Sequence, residues 1–177
     1  MPPSSRKQLF VLAATLLLGA LALKWWYRTA TVDELAFLLK PVAHVIGLCS
    51  GETWNWIEGR GAYFPVAHII IDRSCSGVNF LVITTAAFAF LLLKQPGVGC
   101  SWPVLTLLSV VAAYVLSILA NSGRILSMVW LQRMGFHLAP TAHEVVGAVF
   151  FLAALLLACI ALDRFLQRPI TRTVTTS

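Results

Sequence analysis

Four stretches of this chain carry no charged residue: Gln8–Leu23, Val78–Leu93, Pro103–Ala120 and Val145–Leu162. Each approaches the roughly 20 apolar residues that span a hydrocarbon core of about 30 Å. The pattern predicts transmembrane helices over about 8–24, 76–93, 103–122 and 143–163. Between the first two, Thr31-Val32-Asp33-Glu34 forms a capping box, so a helix is expected from Val32 to about residue 48. Pro41 should kink it, and Gly47 or Gly51 should end it. Asp33, Glu34, Lys40 and His44 argue against another full span, and place it as an amphipathic helix at the outer membrane surface. Over 53–72, Gly59-Arg60-Gly61 separates an aromatic run from a β-branched one, which reads as a short interfacial β-hairpin. The fold class is an all-α polytopic membrane protein: about four transmembrane helices, an outer-surface amphipathic helix and the hairpin, in one domain over 1–177.

Composition agrees with the class. Of 177 residues, 59% are hydrophobic and 11% charged, against roughly 45–50% and about 25% in soluble domains. The net charge of +6 is no nucleic-acid signal, because Lys and Arg gather at span ends, where they orient helices and meet lipid headgroups. Arg6, Lys7, Lys94, Arg164, Arg168 and Arg172 lie on or near short connections, which puts both termini inside a plasma (inner) membrane. The first span also resembles a secretory signal with Ala20-Leu21-Ala22 as its cleavage site, yet Lys24, Trp25, Trp26 and Tyr27 read as the interfacial anchor of a retained helix. Under this topology Cys49 and Cys75 face outside, and Cys100 and Cys159 inside.

Three polar residues then fall at one depth. At about 1.5 Å per helical residue, Cys75 stands about 28 Å from the inner marker Lys94. Arg124 stands about 32 Å from Pro103, and His143 about 32 Å from Arg164. Cys75 precedes an apolar run, so it is expected in a first helical turn, where free N–H groups and the dipole favour thiolate. Gly77 would let a substrate backbone approach. His143, in Thr141-Ala142-His143-Glu144, is expected in another first turn, held neutral and able to move a proton. Arg124 is a fixed cation for a carbonyl, carboxylate or oxyanion, and Asn121 lies on its helix face.

Plainer readings exist for each. Cys75 is a structural thiol or is bridged to Cys49 in a non-catalytic scaffold or assembly subunit. Arg124 snorkels to headgroups, and His143 decorates a helix start. His44, His68, His137 and His143 raise a metal site, but their spacing matches no H-x-x-x-H or H-E-x-x-H pattern. No metal or cofactor is expected. His44 is a reserve base. Ser76 as a rhomboid-like serine lacks a G-x-S-G context.

Cys75-Ser76-Gly77-Val78-Asn79-Phe80, Asn121-Ser122-Gly123-Arg124-Ile125 and His143, in that order, resemble the exosortase/archaeosortase family of membrane transpeptidases, in compact forms such as those called exosortase K. The resemblance covers about residues 32–162. It implies Cys75 as nucleophile, His143 as acid/base and Arg124 as stabiliser, with Ser76, Gly77, Asn79 and Asn121 in support. The implied partners are exported proteins with a C-terminal sorting signal of short motif, membrane helix and basic tail, cleaved through a thioester. A compact chain lacks the extra spans and appended domain of longer relatives, so its motif and acceptor need not be theirs.

Overall fold

The computed structural model describes residues 3–94, 102–135 and 140–167. Among them are five α-helices: α1 (Pro3–Thr29), α2 (Ala36–Ser50), α3 (Val78–Lys94), α4 (Trp102–Arg133) and α5 (Pro140–Gln167). Strands β1 (Asn55–Ile57), β2 (Gly61–Phe64) and β3 (Ile69–Ile71) lie between α2 and α3. The segments Arg73–Leu92, Pro103–Arg133 and Val145–Gln167 are long and apolar enough to cross a membrane. Their outer faces suit hydrocarbon: α5 leaves Val145, Val149, Leu152, Leu156 and Leu157 exposed. α1 does the same with Phe10, Leu17, Leu18 and Leu21.

Helices placed in lipid would gain little from hydrophobic burial, so close van der Waals packing would have to hold them. On α4, Ser109, Ala113, Ser117 and Asn121 recur every fourth residue, and all are buried. This small-residue face admits α3, whose Thr84 and Ala89 are fully buried. The Ser109 hydroxyl is satisfied by the Leu105 carbonyl at 2.8 Å.

The third span was expected to close at residue 122, with Arg124 at its end. α4 instead runs on to Arg133. Its last turns are not free to fray, because Ile125, Leu126 and Val129 pack into the outer core.

That core corrects the reading of α2. The capping box forms: Thr31 N donates to Glu34 Oε2 at 2.7 Å, and Glu34 N donates to Thr31 Oγ1 at 3.3 Å. It closes an isolated turn, however, and the α-helix starts at Ala36 rather than Val32. Pro41 is accommodated inside it, and Gly51, at φ 70°, ends it. The helix is amphipathic as expected, but its apolar face meets protein, not headgroups. Leu35, Leu38, Leu39, Val42 and Ile46 bury against Ala62, Phe64 and Ile71. Each large aliphatic side chain so covered is worth roughly 1.5–3 kcal/mol relative to exposure to water. Tyr114 Oη donates to the Phe37 carbonyl at 2.6 Å, and Ser122 Oγ to the Val42 carbonyl at 3.5 Å. α2 is therefore tied to α4 at two points along its length.

The hairpin is also larger than expected. Three antiparallel strands form in the order β1-β2-β3, with Trp56 opposite Ala62 and Tyr63 opposite Ile70. Asp33, which argued against a span, serves this sheet, and so does Glu52. Asp33 accepts from Trp56 Nε1 and from Gly59 N, both at 2.9 Å. Glu52 Oε1 accepts from Val66 N and Ala67 N at 2.6 and 3.0 Å, closing the turn between β2 and β3.

Candidate functional site

The chain leaves β3 into a 3-10 turn, Arg73–Cys75, and only then enters α3 at Val78. Cys75 is thus not in the first turn of α3, as the apolar run suggested. The turn exists because Asp72 caps it: Asp72 Oδ1 accepts from Ser74 N at 2.9 Å and from Ser74 Oγ at 2.6 Å. Cys75 N donates to the Asp72 carbonyl at 3.0 Å, and Ser76 N to that of Arg73 at 3.1 Å. These two amides are therefore spent on the turn. Any oxyanion donors from the backbone must come from the first N–H groups of α3, which have no acceptor within the helix. Gly77, at φ +67°, makes the left-handed step between turn and helix.

Two neighbouring helices clamp this turn. Asn121 Nδ2 donates to the Cys75 carbonyl from α4. Asn121 is 1% exposed, and its Oδ1 has no partner. From α1, the Tyr27 hydroxyl donates to the Arg73 carbonyl and accepts from Ser76 Oγ, each at 3.1 Å. Arg73 returns the contact, donating to the Tyr27 carbonyl with its guanidinium 4.8 Å from the Tyr27 ring centroid.

The Cys75 side chain, half-buried, opens on a cavity of about 120 Å³. Arg124 lines the same cavity, with Ile69, Ile70 and Ile71 on one side and Ile125, Met128, Val129 and Gln132 on the other. The depth match between Cys75 and Arg124 is thus also lateral proximity. Arg124 does not snorkel outward. Its guanidinium lies 5.2 Å from the Phe151 ring centroid, and Phe151 in turn stacks on Phe80 at 4.7 Å. Its Nε is buried and has no hydrogen-bond partner among the described residues. A guanidinium held in an apolar wall offers a fixed positive charge to a carbonyl, carboxylate or oxyanion.

The way past α5 is provided by Gly147. A Cβ there would stand 3.3 Å from Arg124 Nη1 and 3.4 Å from its Cδ. His143 precedes Gly147 by one helical turn, on the same face of α5 and about 6 Å along its axis. α5 begins at Pro140, so His143 is in the first turn as expected; its side chain lies outside the described residues. The Cys75 turn, the Arg124 guanidinium and the Gly147 face of α5 therefore meet at one end of the bundle.

No protein-family profile, characterised protein or solved structure matches this chain.

The other expected residues divide. Gly77 touches Asn121, 3.8 Å from its ideal Cβ position. Ser76 is buried and spends its hydroxyl on Tyr27, so it is an anchor and not an exposed nucleophile. Asn121 holds the thiol's own backbone rather than sharing a ligand with Arg124. Asn79 is exposed on α3 and stands apart from the cavity, and His44 is exposed on α2. Cys49 and Cys75 are both free thiols, the first exposed at the end of α2. Cys100 and His137 lie outside the described residues.

Tyr27, Asp72, Arg73, Gly147 and Phe151 went unseen as parts of the site. Tyr27 read only as a headgroup anchor. Asp72 and Ser74 carried the available signal, an Asp-x-Ser turn directly before the cysteine.

Proposed function

We propose that this chain is a four-span membrane cysteine peptidase or transpeptidase, with its site on the outer, periplasmic side and both termini inside. The observation that carries the reading is the shared cavity: a half-buried thiol and a guanidinium, brought to it from separate elements. The resemblance in Cys75-Ser76-Gly77, Asn121-x-x-Arg124 and His143 supports it.

In this reading His143 takes the Cys75 proton, and Sγ attacks a peptide carbonyl while Arg124 faces the developing oxyanion. Collapse breaks the C–N bond. The leaving amine takes the proton from His143, and a thioester remains. An acceptor amine or water, deprotonated in turn by His143, releases the acyl group and restores the thiol. The substrates are exported proteins whose C-termini carry a short motif, one apolar helix and a basic tail, and which approach within the bilayer.

The test is co-expression with such a protein, followed by the mass of its new C-terminus. Wild type should yield a shortened or transferred product, and Cys75→Ala only the precursor. Cys49→Ala should process normally. Normal processing by Cys75→Ala would end the proposal.

A further inference from the structure

The cavity beside Cys75 has an unusual wall. It is lined by Ile69, Ile70 and Ile71, three consecutive residues of β3. Side chains of a strand alternate between the two faces of its sheet, so a cavity on one face meets every second residue. Contact with all three means that the cavity runs along the strand's edge. Among the described residues β3 is the last strand of its sheet, with β2 as its neighbour.

The phase of that pairing can be read from Gly61. The Ile71 carbonyl oxygen lies against the position of a Cβ at Gly61, so it points toward β2. Ile71 and Ile69, opposite Ala62 and Phe64, thus form the hydrogen-bonded pairs of the ladder. Ile70 lies between them, and its N–H and C=O point the other way, to the open edge. Asp72, also extended at φ −107° and ψ −167°, continues that outward row before its carbonyl turns to cap Cys75. Unpaired edge groups next to a reactive thiol form a template for an extended chain.

We propose that the free edge of β3 is a strand-addition subsite, on which an extended peptide pairs with Ile70 and delivers its next carbonyl to Cys75. The inference rests on the proposed function and specifies its substrate: a non-helical segment, with a small apolar residue at the cut. The size follows from the cavity. At about 120 Å³ and walled by Ile125, Met128 and Val129, it favours a small apolar side chain over a large one. Helical segments cannot use the edge, because their N–H and C=O groups are already paired along the helix.

The experiment uses the full chain in detergent micelles and three alkylating probes, with modification located by peptide mass mapping. Iodoacetamide reports the thiol alone. Acetyl-Ala-Ala-Val chloromethyl ketone adds a strand; Sγ bonds to its methylene carbon, chloride leaves, and the thiol proton passes to solvent. The third probe carries the same sequence with the middle amide N-methylated, which removes one strand donor. The expected result is saturable labelling of Cys75 by the peptide ketone and about tenfold slower labelling by its N-methyl form, with a buried carbonyl left unpaired. Replacing Val by Phe in the ketone should slow it as well.

Ile70→Pro deletes the matching donor on the protein, at an edge position that spares the β2 ladder. It should lower the peptide ketone's rate and leave that of iodoacetamide unchanged. The wild-type comparison decides the matter even where that variant misfolds. Equal rates for the plain and N-methylated ketones would overturn strand addition and leave the nucleophile standing. Failure of iodoacetamide to label Cys75 would remove both.

Discussion

Tyr27→Phe deletes one oxygen and should loosen the turn that carries Cys75. That oxygen accepts from Ser76 Oγ and donates to the Arg73 carbonyl, each at 3.1 Å. Ser76 is 3% exposed, so its hydroxyl would be left in a dry site. A buried group stranded in this way costs about 1–3 kcal/mol, and an ordinary lost hydrogen bond about 1 kcal/mol. The expected destabilisation is therefore about 2–4 kcal/mol. Ser76→Ala alone should cost about 1 kcal/mol, because Tyr27 keeps its bond to Arg73. The double variant should fall short of the sum by about 1 kcal/mol, since it leaves no orphaned hydroxyl. Reversible unfolding in mixed micelles measures all three. The rate of Cys75 alkylation by iodoacetamide should change in Tyr27→Phe, because the Arg73 carbonyl and the Ser76 hydroxyl both lose their hydrogen bond to α1, leaving only the Arg73 side chain on the Tyr27 carbonyl. Additive single variants with wild-type alkylation rates would refute the clamp.

Two further substitutions test the frame of the site. Gly147→Ala places a methyl 3.3 Å from Arg124 Nη1, a shift of a few tenths of an ångström that the long side chain can absorb. Gly147→Leu should drive the guanidinium off Phe151 and match Arg124→Ala in precursor processing; wild-type turnover in Gly147→Leu would count against the placement of Arg124. Asp33→Ala removes two hydrogen bonds to a carboxylate, each worth about 1.5–3 kcal/mol. It should destabilise the outer sheet by about 3–6 kcal/mol and shift Trp56 fluorescence to the red, with unchanged emission contradicting the assignment.

Much of this molecule is legible in residue order. The apolar runs mark α3, α4 and α5 because membrane length and hydropathy are local, additive properties. Gly51 ends α2 and Thr31–Glu34 forms a box because both depend on neighbours in the chain. The errors share one cause. Asp33 and Lys40 read as a solvent face, yet Asp33 bonds Trp56 and Gly59, and the Lys40 ammonium stands 5.0 Å from the Trp56 ring centroid. Cys75 read as a helix start because hydropathy cannot separate a 3-10 turn capped by Asp72 from the first turn of α3.

At the site the division is sharper. Counting residues along each span could equalise the depths of Cys75, Arg124 and His143, since rise per residue is constant along a helix. It could not say that Arg124 passes Gly147 to reach the wall beside Cys75, that Tyr27 grips the thiol's turn from another helix, or that β3 presents an unpaired edge there. Those relations depend on how helices and sheet pack side by side. Packing is set by which small residues permit close approach, and that becomes visible only once the partners stand next to one another.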